Sequence, residues 1–318
     1  MKRVLVTGAT GFVGRELCTR LASRGFAVRA AVRTPGSGVA DEVRVGEIDG
    51  STDWRAALEG VDAVIHLAAR VHMMGPAEQS RTAEYRRVNV DGTESLARQA
   101  AAAGVRRLVY ASSIKVNGEA THGTPFRPDD EPRPLDAYGI SKRDAEAALR
   151  RVCAECRLEG VVVRPPLVYG PGVRANFLQL LSLVDRGIPL PLGAVNNRRS
   201  LVFVGNLADA LIRAAEHPAA AGRTYLVSDG AALSTADLVR GIGGALGRPA
   251  RLVPVPPALL RLGGRVMGRR EVVERLCGSL EVDSAALASE LGWSPPVSRQ
   301  EGLRLTAEWY RASRRSSR

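Results

Sequence analysis

The chain is predicted to be an α/β protein, a doubly wound parallel sheet with a smaller, mostly helical C-terminal lobe. Three observations carry this. Apolar β-branched runs alternate with helical stretches through the first two-thirds of the 318 residues. A Gly-rich turn separates the first run from the first helix. After about residue 166 the rhythm breaks into Pro- and Gly-punctuated sequence.

The strands are read at "RVLVTG", "AVRAAV", "AVIHLAA", "RLVYASS" and "EGVVVRP", with helices between them at "GRELCTRLASRG", "TESLARQAAAAG" and "SKRDAEAALRRVCAEC". The strands are almost continuously apolar, as expected when helices cover both faces of a sheet. "SLVFVGNLADALIRAAE" and "RTYLVSDG" are candidates to return to that sheet. The division expected is residues 1–165 plus about 198–228 for the sheet domain, and about 166–197 with 229–318 for a substrate lobe. The final "SRRSSR" reads as a frayed tail.

Composition narrows the function classes. A hydrophobic fraction of 45% is ample for a core. The net charge of +12 raises nucleic acid as a partner, but the arginines are scattered and aromatics are only 4%, too sparse for stacking platforms. A phosphate-bearing small substrate, or Arg-rich composition alone, accounts better for the charge. No apolar run approaches the roughly 18 residues of a membrane span. The N-terminus reads directly as a strand, so a cytoplasmic protein is expected. "CAEC" at 153–156 lies in a helical pattern with no second pair, which makes its cysteines structural. His66, His72, His122 and His217 show no metal-ligand spacing, and no metal is expected.

"VLVTGATGFVGREL" places Gly8, Gly11 and Gly14 between strand and helix. Such glycines give a tight turn, close backbone approach to a pyrophosphate and close helix–strand packing, with the phosphates at the helix N-terminus. The sheet is therefore of Rossmann type. Tyr138 and Lys142 stand four apart at the start of a helix, so both project from one face. A phenol of pKa about 10 must lose roughly three units, about 4 kcal/mol, to act as a base near neutrality. A cation about 4 Å away at an effective dielectric of about 20 supplies that much. On this argument Lys142, aided by an oxidised nicotinamide, suffices to activate Tyr138.

Further segments carry a resemblance. "GEIDG" (46–50) is similar to an adenine-contacting segment, "HLAA" (66–69) to a turn lying over a cofactor, and "SSIKVNG" with "YGISK" to a catalytic Ser and Tyr-x-x-x-Lys. Together with the TGxxGxxG spacing, they resemble the extended short-chain dehydrogenase/reductase family, closest to its nucleotide-sugar epimerases, dehydratases and 4-keto-reductases. The resemblance implies cofactor contacts from Gly8, Thr10, Gly11, Phe12, Val13, Gly14, Glu47, Ile48, Leu67, Ala68, Ala69, Tyr138, Lys142 and Pro165. It implies Ser113 as the group orienting the reacting sugar oxygen, with Ser112 as the neighbouring alternative, and His66 packed near the cofactor.

On the substrate side the resemblance implies Asn176 in "GVRANFL" and Arg199 in "NNRRSLVFVGNLADA" as nucleotide diphosphate ligands. The second diphosphate arginine is open among Arg269, Arg270 and Arg275. Lys115 and Asn117 depart from the epimerase pattern; either they contact the sugar, or Lys115 runs its stem out to solvent. The resemblance also implies a homodimer built on the two helices at 93–104 and 141–156.

Arg33 decides the expected cofactor. Where NAD-preferring relatives carry an Asp, this chain has Val32 followed by Arg33, which would clamp a 2′-phosphate. NADP(H) is thus expected, with NAD(H) as the alternative. The expected function follows: NADPH-dependent reduction at C4 of a UDP-activated 4-keto-6-deoxy-HexNAc, with a UDP-sugar (glucose/GlcNAc-type) 4-epimerase holding NAD tightly as the alternative, since the chain as a whole resembles the 4-epimerases equally. A non-catalytic NADP-binding regulator is the remote alternative. Finally, "LLRLGGRVMGRREVVERL" (259–276) is apolar on one side and basic elsewhere; it is read as a lobe helix in preference to a peripheral membrane contact.

Overall fold

The computed structural model describes residues 2–36, 38–39, 41–71 and 78–315, so His72 lies outside the described residues. The first half runs β1 (Arg3–Thr7), α1 (Phe12–Ser23), β2 (Ala27–Val32), β3 (Glu42–Arg44), α2 (Arg55–Leu58), β4 (Ala63–His66), α3 (Glu78–Tyr85), a π-helical turn (Arg86–Asp91), α4 (Gly92–Ala102), β5 (Arg107–Ala111), α5 (Ala137–Glu155) and β6 (Glu159–Arg164). The second half adds β7 (Leu167–Tyr169), α6 (Ala175–Asp185), β8 (Leu201–Phe203), α7 (Val204–Glu216), β9 (Thr224–Leu226), α8 (Thr235–Ala245), α9 (Pro257–Val266), α10 (Arg270–Cys277), α11 (Ala285–Leu291) and α12 (Arg299–Arg315).

Seven strands form one sheet in the order β3-β2-β1-β4-β5-β6-β9, every pair parallel. Successive residues of β1 face opposite sides. Val4 and Val6 pack against Leu17 and Leu21 of α1 and Leu211 of α7, while Leu5 joins Leu58, Leu96 and Leu149 on the other face. Both faces are covered, which explains the unbroken apolar strands. The strand order reverses between β1 and β4, and a crevice opens beyond their carboxyl ends.

A separate apolar cluster holds the C-terminal helices together, around Phe177, Leu181, Val239, Ile242, Leu303 and Tyr310. Three expectations change. The strand in "SLVFVG" does not rejoin the large sheet: β8 pairs only with β7 in a two-stranded sheet of its own. Residues 259–276 are two helices, because Gly268, at φ +64°, turns the chain between them. Helix α12 extends through Arg315, so half of the supposed tail is helical, and 316–318 lie outside the described residues.

Candidate active site

The glycine turn sits at the crevice. Gly8 adopts φ +68°, and a Cβ there would stand 2.9 Å from the Ala68 nitrogen, so the 66–69 turn lies directly against it. The Gly11 nitrogen donates to the Gly8 carbonyl at 2.9 Å, closing the turn. Gly14 lets α1 approach β1; a Cβ there would fall 2.1 Å from the Gly8 oxygen. Gly11 is the N-cap of α1, yet no side chain caps it and the first turn holds no acid. The amides and dipole of this helix end are thus left for an outside anion. That seat fits a dinucleotide pyrophosphate. A cavity of about 260 Å³ opens beside it, lined by Thr10, Gly11, Phe12 and Arg15 together with Gly172 and Arg174.

A buried polar network holds the 66–69 turn. Thr93 Oγ1 donates to the Asn89 carbonyl at 2.6 Å, so it accepts from His66 Nε2 at 3.1 Å. His66 Nδ1 is then the acceptor of the Thr7 hydroxyl, 2.6 Å away. The Thr7 oxygen in turn accepts from the Leu67 and Ala68 nitrogens, at 3.2 and 3.1 Å. Burial, with the nearby Lys142 charge, pushes the imidazole down to about 3, so His66 stays neutral. Its place is to hold the turn, not to exchange protons. Asn89, which the sequence reading missed, fastens the other end: its amide brackets the Arg70 backbone nitrogen and carbonyl at 2.7 and 3.1 Å and donates to Ser141 Oγ at 2.9 Å. It lies in a π-helical turn, which periodicity does not reveal, so no sequence signal marked it.

Ser113, Tyr138 and Lys142 converge on the carboxyl end of β5. Ser113 is the N-cap of a short 3₁₀ turn over Ile114–Val116, and its hydroxyl accepts from the Lys115 nitrogen. Asp136 caps α5 by accepting from the Gly139 nitrogen at 2.7 Å, which sets Tyr138 in the first helical turn. Tyr138 stands near enough to Ser113 for the serine to favour its ionised form, and its ring lies 6.0 Å from that of Tyr85. Lys142 Nζ donates to the Ala111 carbonyl at 2.6 Å and stands 4.1 Å from the Tyr110 ring centroid.

Without a nicotinamide, burial dominates the electrostatics of this pair. Burial pushes the Tyr138 phenol well above its ordinary value, Asp136 adds to the rise, and only the Ser113 hydrogen bond opposes it. Burial likewise pushes Lys142 down to about 7, against the pull of Glu146. The lysine alone therefore does not acidify the phenol. Within this chain Tyr138 is held as an acid; a positive ring in the crevice is what would lower it.

The remaining predicted residues lie around this centre and in the lobe. Glu47 and Ile48 follow β3 beside α4, where a Cβ on Gly92 would meet Ile48 Cγ2 at 2.7 Å. Arg33 points at Glu47, with 3.3 Å between Nη1 and Oε1, and both are exposed. Pro165 follows β6 and accepts from the Ile114 nitrogen at 3.0 Å, tying β6 to the Ser113 turn. Asn176 is exposed in the first turn of α6.

Lys115, Asn117 and Arg199 have protein partners. Lys115 is paired with Asp136 and, at 2.9 Å, with Glu119. Asn117 is buried; it donates to the Arg127 carbonyl at 2.7 Å and accepts from Arg164 at 2.9 Å. Arg199 donates to the Arg275 and Gly278 carbonyls at 2.9 and 3.2 Å, and burial lowers its affinity for the proton. A larger cavity of about 1180 Å³, bordered by Arg198, Ser234, Arg299 and Arg304, includes none of Ser113, Tyr138 or Lys142. Among the described residues no cluster of His, Cys, Asp and Glu could hold a metal ion, and no helix is long and apolar enough to cross a membrane.

Comparison with known proteins matches this geometry. The sequence pattern of the NAD dependent epimerase/dehydratase family matches residues 4–228. A UDP-glucose 4-epimerase of Vibrio cholerae is 44% identical over 313 residues, covering 96% of this chain and 95% of that protein. A 2-alkyl-3-oxoalkanoate reductase of Stenotrophomonas maltophilia is 31% identical, covering 95% and 97%. Among solved structures, MoeE5 in complex with UDP-glucose and NAD is 30% identical with a TM-score of 0.76, covering 98% of this chain and 99% of that one.

Proposed function

The chain belongs to the NAD dependent epimerase/dehydratase family, and from that premise we propose that it is a UDP-sugar 4-epimerase that retains NAD through its catalytic cycle. The carrying observation is the gathering of Ser113, Tyr138 and Lys142 at the carboxyl end of β5: Ser113 favours the ionised form of Tyr138, Lys142 Nζ sits on the Ala111 carbonyl, and the paired strand β4 leads into the turn that lies against Gly8. The 44% identity to an enzyme named for UDP-glucose 4-epimerisation favours epimerisation over the reduction read from the sequence. The Arg33–Glu47 pair supports the same choice, since an acid beside the arginine offsets its attraction for a 2′-phosphate.

NAD, when bound, supplies a reversible hydride acceptor. The chain's own residues handle the proton. Ser113 orients the C4 hydroxyl, and Tyr138 takes its proton as the carbon is oxidised, then returns it to the oxygen after the keto sugar has turned over. Lys142 would anchor the cofactor beside the phenol. Asn176 and Arg199 remain our candidates for the diphosphate, Arg199 with its guanidinium already oriented by two carbonyls. Two copies would pair through α4 and α5, which Arg98–Glu155 and Arg151–Glu94 ion pairs lock into one unit.

The test is incubation of purified protein with UDP-glucose and no added cofactor. Appearance of UDP-galactose, abolished in Tyr138→Phe while bound NAD is retained, is expected. No interconversion of glucose- or GlcNAc-type UDP-sugars, alongside NADPH oxidation by a UDP-4-keto-6-deoxy-HexNAc, would overturn it.

A further inference from the structure

Helices α9 and α10 form a hairpin whose outer surface is apolar at its centre and basic at its edge. Its inner side is ordinary core: Leu260, Val273 and Leu276 pack on the lobe. Gly264 lets the two helices meet closely, since a Cβ there would stand 2.6 Å from Val273 Cγ2. The hairpin is therefore a well-packed unit, and its outer residues are not exposed by poor packing.

Those outer residues are the unusual feature. Leu259 is 58% exposed, Leu262 59%, Val266 81%, Met267 69% and Val272 49%. Positions 259, 262 and 266 recur at the i, i+3, i+7 spacing of one helix face. Because Leu260 is on the opposite face, α9 is apolar on two sides. A helix of that kind needs a second apolar surface to cover it. Most of the other strongly exposed large apolar side chains lie scattered elsewhere, at Val71, Leu135 and Val253 for example.

The charge around the stripe selects the cover. Arg261 pairs with Glu274 and Arg275 with Glu271. Among the described residues, Arg265, Arg269 and Arg270 have no carboxylate partner. A second copy of the chain would bring the same three unpaired guanidiniums face to face, in a protein already carrying +12. A nucleic acid would satisfy the arginines but leave the leucines wet. A surface offering anions above a hydrocarbon layer satisfies both, with arginine stems lying along the boundary and their heads at the phosphates.

We propose that the α9–α10 hairpin docks this protein on an anionic membrane surface, inserting Leu259, Leu262, Val266 and Met267 between lipid headgroups with Arg265, Arg269 and Arg270 at their phosphates. The docking is peripheral, and it is independent of which nucleotide sugar the enzyme turns over.

Full-length protein is sedimented with vesicles of phosphatidylcholine alone and of phosphatidylcholine with about one-third phosphatidylglycerol, an anionic fraction ample to engage juxtamembrane arginines. Binding to the anionic vesicles at least about tenfold tighter than to the neutral ones is expected, weakening as salt rises. The Leu262→Glu/Val266→Glu double variant should lose at least about tenfold of that binding, and Arg265→Glu should flatten the salt dependence. Both sites are exposed, so an unchanged unfolding midpoint and unchanged turnover of soluble substrate are expected of the double variant. No binding to anionic vesicles, binding that the double variant leaves intact, or a dimer that the double variant dissociates without any vesicle binding would each overturn the proposal. Vesicle binding is read without substrate, so a failed epimerase assay leaves it untouched.

Discussion

Lys142 donates to the carbonyl oxygen of Ala111 across 2.6 Å, binding the second turn of α5 to the end of β5. The amine is buried, and its pKa falls from an ordinary 10.5 to about 7. In the unfolded chain it is protonated up to 10.5, so folding carries a penalty that is full below pH 7 and fades as pH rises toward 10.5. Lys142→Met removes that penalty along with the function. The variant is expected to unfold at higher urea than wild type at pH 6, with the gain shrinking by pH 9, while turnover falls by about 10² or more. Urea titrations at the two pH values and a UDP-sugar assay check both halves.

Much of the site was legible because its signals are local. Gly8, Gly11 and Gly14 mark one turn, and Tyr138 and Lys142 share one helix face. What was not legible depends on partners distant in sequence. Nothing near Asn117 in sequence announces Arg164, 47 residues later, which the fold brings to its amide oxygen. Nor does the sequence around Lys115 announce its ion pair with Asp136, 21 residues on. The same holds for electrostatics: a spacing of four says that two groups share a face, but not how deeply both are buried, and burial pushes the Tyr138 phenol up. Helical periodicity likewise ran straight through Gly268, whose positive φ splits residues 259–276 in two.

The Arg33–Glu47 pair makes cofactor selectivity adjustable. Both side chains are solvent-exposed, so the pair is weak and its effect modest. Glu47→Gln frees the guanidinium and removes a charge that repels a 2′-phosphate. NADP should then bind up to about tenfold tighter with NAD nearly unchanged, and Arg33→Ala should move NADP the other way. Fluorescence titration of both cofactors against cofactor-stripped protein measures the ratio.

His66 makes the fold acid-sensitive. Its pKa is depressed from 6.5 to about 3, so the stability it contributes is complete above pH 6.5 and is lost as pH falls toward 3. The full loss is of order 5 kcal/mol. Protonating Nδ1 would also force apart the Thr7 contact that holds the Leu67 and Ala68 amides. A His66→Gln variant keeps a donor and an acceptor but cannot take up the proton. Between pH 6.5 and 4, its unfolding free energy should fall less steeply than wild type's by about one proton's worth, which urea titrations across that range resolve.

Gly14→Ala tests the seat proposed for the cofactor. The added methyl would stand 2.1 Å from the Gly8 oxygen and 2.7 Å from Ala9 Cα, and both are backbone atoms with no rotamer to yield. Relief requires α1 to move off β1, which pulls apart the Gly11–Gly8 hydrogen bond that shapes the turn. A loss of about 3 kcal/mol or more is expected in urea unfolding, with NAD no longer copurifying. Gly25→Ala is the control: it also places a methyl in the same half of the chain, at φ +80° but with nothing within 4 Å, so it suffers backbone strain alone, about 1 kcal/mol, and should keep its NAD. If the Gly14→Ala protein holds NAD as wild type does, the phosphates are not seated at the start of α1, and the catalytic role given to Tyr138 loses its geometric basis.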